Sequence, residues 1–258
     1  CAGMLRYGLR RLRPVRQREA YPSVSCIITC YSEGEDVRKT IESLAHQLYR
    51  GPIQIIAVID GALQNGPTLQ AALAESDHVA MLPNRSLVVL PKWQRGGRVS
   101  SLNAGLNLTT GQIVMALDGD TSFDNDMVAN ATRHFDDPNV VAVAGCLRVR
   151  NAKESLVARL QGLEYVLCIG AGKTGLSEFN VVNNISGAFG IFRTQFVRLL
   201  GGWDAGTAED LDITLRIKQY FGRHPQLRIA FDPHAVGHTD APTTWRGFWK
   251  QRLRWDGD

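Results

Sequence analysis

Nowhere in the 258 residues do the ~18 to 20 consecutive apolar residues of a membrane span occur. No signal peptide is expected ahead of the basic opening segment, and internal repeats and low-complexity linkers are missing. Cysteines are few: Cys1, Cys26, Cys30, Cys146 and Cys168, an odd number with no CxxC pair and mostly inside apolar runs. That pattern argues against a disulfide framework or a cysteine metal site, and for buried thiols in a reducing compartment. Acids are absent from one stretch, LRYGLRRLRPVRQR, which carries Arg6, Arg10, Arg11, Arg13, Arg16 and Arg18. Such a run contacts an anionic surface, membrane headgroups or nucleic acid, or is a solvated tail. The chain starts on Cys1 rather than methionine and is expected to be an excerpt of a longer protein.

What is present is ordinary globular material: 44% hydrophobic, 21% charged, net charge +4. A chain of this length buries roughly 70 to 75% of its unfolded surface, and one domain is the better prior. VSCIITC (24–30) is a strand-like run, followed by SEGE, a capping box with Ser32 as cap and Glu35 reaching back. Val37, Ile41, Leu44, Ala45 and Leu48 then recur at the helical period. IQIIAVID (53–60), LVVL (87–90) and IVMALD (113–118) are further strands, with a helix over 99–106 after Gly96 and Gly97. The alternation predicts a parallel sheet covered on both faces, and ligands of such sheets bind outside the carboxyl ends of the strands. Asp60 and Asp118 end two strands, and Tyr31 and Glu33 follow a third. Later come a helix near 127–135, the strand VVAVAGCLRV, a helical segment with Leu156, Leu160, Leu163 and Val166, and a Gly/Asn-rich loop. SGAFGIF, a helix over 210–220, the strand RIAFD and a last helix from about Thr243 complete the chain.

Three motifs carry chemistry. In LDGDTSF, Asp118 and Asp120 flank one glycine; a hard cation would cancel their repulsion, taking one or two carboxylates and filling its shell with water and phosphates. A solvated turn explains the same letters. An EF-hand is excluded, because its sixth and twelfth positions fall on Phe123 and Ala129. A phosphate loop at GAGKT fails as well, since its first glycine falls on Leu167. GTAEDLDITLRI places Glu209 and Asp210 before a helix, either as acids complementing the helix dipole or as a general base at a cleft. WRGFWKQRLRW sets Trp245, Phe248, Trp249 and Arg252 on one helical stripe and Gln251, Arg254 and Trp255 on another. Arginine forks suit phosphates, and tryptophan suits sugars, a membrane interface or a packed core.

CIITCYSEGED, DGD, AED and QRLRW, in that order, resemble the membrane-embedded, processive branch of family 2 glycosyltransferases: hyaluronan, chitin, cellulose and poly-N-acetylglucosamine synthases. QRLRW fits that branch's QxxRW signature. The resemblance implies a GT-A-type α/β fold, a mostly parallel central sheet with helices on both faces, and Mg²⁺ or Mn²⁺. It also implies that Tyr31, Glu33, Asp60 and Arg98 hold the nucleotide of a UDP-sugar, with Asp118 as a nucleotide contact and Asp120 the more direct metal ligand. Asp210 matches the catalytic base, with Glu209 beside it, and Ser186 and Gly187 match the acceptor segment. Gln251, Arg252 and Arg254 match the diphosphate-binding part of QxxRW, and Trp255 the platform under the acceptor sugar. On this expectation residues 1–20 are a basic juxtamembrane segment, 21–240 the catalytic domain and 241–258 an interface helix. The partners are a UDP-sugar, a polysaccharide or oligosaccharide acceptor and the cytoplasmic membrane face, with no nucleic acid.

Other readings explain less. A sugar-phosphate nucleotidyltransferase needs a glycine-rich basic loop after its first strand, where TCYSEGED has one glycine and three acids. A basic binding module accounts for the arginines but not for acids at two strand ends. A non-processive family 2 transferase acting on a lipid or small acceptor is disfavoured by QRLRW.

Overall fold

The computed structural model describes residues 2–11, 20–204 and 208–256. Cys1, Arg13, Arg16 and Arg18, singled out above, lie outside the described residues, as do Gly206 and Thr207. The helices are α1 (Ala2–Arg11), α2 (Asp36–Ala45), α3 (Gly66–Ala74), α4 (Ser76–Ala80), α5 (Gly97–Leu108), α6 (Met127–Thr132), α7 (Leu156–Glu164), α8 (Lys173–Ser177), α9 (Thr194–Leu199), α10 (Glu209–Phe221) and α11 (Trp245–Asp256). The strands are β1 (Val24–Cys30), β2 (Ile53–Asp60), β3 (Arg85–Lys92), β4 (Ile113–Asp118), β5 (Ser122–Phe123), β6 (Val140–Val149), β7 (Phe189–Arg193) and β8 (Arg228–Thr239).

They form one eight-stranded sheet in the order β3-β2-β1-β4-β7-β6-β8-β5. The first half, β3-β2-β1-β4, is parallel throughout, as βαβ crossovers require. Beyond β4 the expectation of a parallel sheet needs correcting: β7 runs antiparallel to both β4 and β6, and β5 antiparallel to β8, while β6 and β8 are parallel. The central strands are apolar on both faces because both are covered. Ile28, Ile55 and Met115 pack with α2 and α6; Ile27, Ile56 and Val114 pack with Leu102 and Leu106 of α5 and Ile213 and Ile217 of α10.

Several local expectations differ. The SEGE capping box does not form: α2 begins only at Asp36, Glu35 makes no side-chain cap, and Gly34 turns through a positive φ of 56°. Glu33 instead accepts the Tyr31 N–H, and Glu35 pairs with Arg38. Leu48 falls past the end of α2 and is exposed. The Gly/Asn-rich segment expected as a loop is helical in its first part, a π-helix over Tyr165–Gly172 followed by α8, and is irregular from 178 to 188 as expected. Cys26, Cys30 and Cys146 are buried thiols as expected, whereas Cys168, on the π-helix, is exposed. Among the described residues, no helix is long and apolar enough to cross a membrane.

Candidate active site

β1, β2 and β4 are parallel neighbours, so their carboxyl ends share one edge of the sheet. Asp60 and Asp118 sit at two of those ends, Tyr31 and Glu33 follow the third, and Asp120 lies two residues on. The glycine of DGD sits in close approach to its neighbours. A Cβ there would come within 3.0 to 3.1 Å of Cys30 Sγ, Glu33 Cδ and the Thr29 carbonyl oxygen. Its carbonyl accepts from the buried Thr40 hydroxyl at 2.8 Å and its N–H donates to Thr29 O at 3.1 Å, which pins the turn to β1.

Negative charge accumulates at this turn. Burial, then the neighbouring Asp118, pushes the Asp120 carboxyl above its ordinary range. Glu33 is raised too, chiefly by burial and further by Asp120 and Asp118, although the Tyr31 N–H at 2.6 Å opposes this. Among the described residues, no three His, Cys, Asp or Glu side chains converge as a metal cage. Two acids on one turn, with excess charge around them, fit a hard cation that draws its remaining ligands from phosphates and water.

Arg98, on the first turn of α5, supplies the counter-charge. It bonds Asp118 and the Gly187 carbonyl, Thr29 Oγ1 at 2.7 Å, and Glu209 Oε1 at 2.6 Å through Nε. Those two carboxylates hold its guanidinium charged against the cost of burial. Asp60 plays a different part: its oxygens accept from Lys92 Nζ at 2.7 Å and from the Gly96 and Gly97 N–H groups at 2.8 Å. Burial works against its ionisation, but these donors hold its carboxyl below the usual range. Asp60 thereby fixes the loop that launches α5 and aims Arg98.

The start of α10 carries the other acids. Ala208 adopts φ +53°, a left-handed conformation costing a residue with a Cβ roughly 1 to 2 kcal/mol, and Glu209 and Asp210 follow it. Asp210 Oδ1 accepts from the Leu211 N–H at 2.8 Å; Oδ2 accepts from the Gly187 N–H at 3.1 Å and Asn184 Nδ2 at 3.3 Å. Ser186, Gly187, Glu209 and Asp210 line a small pocket with an apolar wall of Leu102, Phe192, Trp203 and Ile213. A carboxylate at the mouth of such a pocket can accept a proton, and two acids on the opposite side of Arg98 can hold a charged diphosphate through a cation.

α11 attaches to α7 rather than directly to the acids. Gln251 accepts from Gln161 at 2.6 Å, and Arg252 pairs with Glu164 while stacking on Phe248 and Trp255 at 4.8 and 4.7 Å. Arg254 and Trp255 are exposed. Burial chiefly raises the Tyr165 hydroxyl above its ordinary value, with Arg252 opposing and Glu164 and Asp118 adding. Sequence reading passed over Thr29, Lys92, Asn184 and Arg95, whose guanidinium lies 4.0 Å from the Tyr31 ring centre. Only the basic loop KWQRGGR hinted at any of them.

Comparison with known proteins gives consistent results. Residues 22–257 match the family described as Glycosyltransferase like family 2. The chain is 29% identical over 255 residues to the poly-beta-1,6-N-acetyl-D-glucosamine synthase of Staphylococcus aureus, covering 97% of this chain and 58% of that protein. The synthase of Staphylococcus epidermidis is 28% identical over 248 residues, 95% of this chain and 57% of that one. The chain thus spans under two thirds of the length of these relatives. A solved structure of the mannosyltransferase PcManGT from Pyrobaculum calidifontis, in complex with GDP-Man and Mn²⁺, superposes with a TM-score of 0.67 at 21% identity, covering 98% of this chain and 68% of that one. The α/β architecture implied by the sequence resemblance, with helices on both faces of the sheet, is the one adopted.

Proposed function

The chain belongs to glycosyltransferase family 2, and we propose that it transfers N-acetylglucosamine from a UDP-sugar to a hydroxyl of a growing polysaccharide at the cytoplasmic membrane face, inverting the anomeric configuration. The observation that carries this is that Arg98 bridges Asp118 of DGD to Glu209 at the start of α10. Tyr31, Glu33 and the loop ordered by Asp60 flank the nucleotide. Asp120, with Asp118, would hold Mg²⁺ or Mn²⁺, which when bound neutralises charge on the departing diphosphate. Asp210, fixed at both oxygens, removes a proton from the acceptor hydroxyl, which attacks the anomeric carbon from the face opposite UDP. Ser186 and Gly187 border the acceptor. Arg252 and Arg254 contribute positive charge, and Gln251 an amide, toward the diphosphate, and Trp255 a face for the acceptor sugar. The choice of N-acetylglucosamine is supported by the polymer made by the staphylococcal relatives. Membrane contact is supported by exposed Trp245 and Trp249 on α11.

Calorimetry of UDP with and without Mn²⁺, on the native protein and on Asp120→Ala, tests the donor site. Binding that is unchanged by removing either the metal or the carboxylate would refute the metal-diphosphate assignment. GDP, the nucleotide of the PcManGT complex, is the control for base identity. In the full-length protein, Asp210→Asn should keep UDP-sugar binding and lose transfer, and retained transfer removes the base assignment.

A further inference from the structure

We propose that Lys173 is a positioning residue for the transfer reaction, fastening the Asn184–Gly187 segment that fixes the Asp210 carboxylate. The inference rests on the reading of Asp210 as the base.

Lys173 opens α8 directly after the π-helix. No residue of that π-helix is fully buried, although Tyr165 and Ile169 pack partly against the core, whereas Lys173, Thr174 and Ser177 just beyond it are. The wider winding, common at functional sites, ends where the lysine turns inward. Lys173 is only 7% exposed, and among the described residues its ammonium makes one hydrogen bond, to the Asn184 carbonyl at 3.0 Å. Among the described residues no carboxylate lies within ion-pairing distance of it. A buried cation with three donors and one acceptor is costly, and a methionine of similar length would fill the same space without that cost. Burial pushes the ammonium down to about 8, and the charge of Asp210 is the strongest influence restoring it.

What Lys173 grips is the inner wall of the site. From the same residue, Asn184 Nδ2 donates to Asp210 Oδ2. The next residue, Ile185, donates its N–H to Thr214 Oγ1 at 3.0 Å, and that hydroxyl donates to the Asp210 carbonyl at 2.6 Å. Two residues on, the Gly187 N–H reaches Asp210 Oδ2. The segment lies along the first turn of α10, and Lys173 holds its other side. The lysine touches no reacting atom; it sets where the base points.

Lys173→Met, Asn184→Ala and the double variant, made in the full-length protein, test this. The expected result is a transfer kcat lowered roughly tenfold or more in Lys173→Met, with UDP affinity in the presence of Mn²⁺ and the donor KM within about twofold of native. The melting temperature should not fall, since a buried charge is removed. Lys173→Arg should recover part of the loss, and the double variant should be no worse than the poorer single one. A kcat in Lys173→Met within about twofold of native overturns the proposal. So does a parallel fall in kcat, UDP affinity and melting temperature, which a merely structural lysine would give. Should Lys173→Met fail to fold, native kcat in Asn184→Ala overturns it as well. Asp210→Asn is the control. An unchanged Lys173→Met beside an inactive Asp210→Asn removes the positioning role alone, whereas full transfer by Asp210→Asn removes the base.

Discussion

Arg98 and Glu209 stand 111 residues apart in sequence and meet at 2.6 Å, Nε to Oε1, while the same guanidinium bonds Asp118. One guanidinium therefore joins the turn that carries the DGD acids to the helix that carries Glu209 and Asp210. Neither side can shift without the other feeling it.

Arg98→Met should expose this coupling. Without the arginine, Asp118 and Glu209 face each other with no counter-charge, and the ligand-free protein should lose about 1 to 2 kcal/mol. That is less than the roughly 3 to 5 kcal/mol of a fully buried pair, since the Asp118 side chain is about a third exposed. Mn²⁺ with UDP should then raise the variant's melting temperature by more than it raises the native protein's. Equal increments would show that the bridge and the ligand do not share the Asp118 charge.

Gly119→Ala should separate the turn from the core. Its Cβ would press on Cys30 Sγ, Glu33 and the Thr29 carbonyl at 3.0 to 3.1 Å, contacts tight enough to move the turn by tenths of an ångström. Metal-dependent UDP binding is expected to weaken by roughly tenfold, with stability lowered by about 1 kcal/mol. Native UDP affinity in a folded Gly119→Ala protein would contradict the close-approach account of this glycine.

Far from the site, Asp232 is 1% exposed and accepts from His134 Nε2 at 2.7 Å, from Arg133 and from the His234 N–H at 2.8 Å. Burial opposes its ionisation, but these partners outweigh it and its carboxyl titrates below the usual range. A carboxyl depressed in the folded state contributes stability above its unfolded value, ~4, and that contribution is lost as pH falls through the folded value. Asp232→Asn should therefore cost about 2 kcal/mol at pH 7. The gap from native, followed by urea unfolding, should narrow steadily below about pH 4. A gap that stays constant into acid would mean the ionised form is not what stabilises.

Trp245, Trp249 and Leu253 recur every fourth residue along α11 and are all more than half exposed. Replacing Trp249 and Leu253 with serine should leave UDP binding intact and reduce partitioning onto vesicles containing anionic lipid. Unchanged partitioning would place membrane contact elsewhere.

The strands and their order of appearance were legible because apolar runs ending in acids need no partner to be recognised: β1, β2 and β4 lie over the predicted residues. The reversal of β7 was not legible. Phe189–Arg193 has the same apolar composition as a parallel strand, and direction is set by how the chain returns from the helical layer of α7, the π-helix and α8. The capping box misled because a motif read over four letters competes with Gly34, whose positive φ delays the helix, and with Glu33, which is bound locally to Tyr31.

By itself the sequence determined the family, the order DGD, AED, QRLRW, and the placing of acids at strand ends, since these depend on short spacings and on strand polarity. Only the tertiary structure decided which groups those acids face. Arg98 between Asp118 and Glu209, the Asp60 oxygens filled by Lys92 and two backbone N–H groups, and Lys173 on the Asn184 carbonyl are contacts between residues that the local sequence pattern does not pair. Electrostatic pairing acts over a few ångströms in space, and no local pattern of letters records that distance.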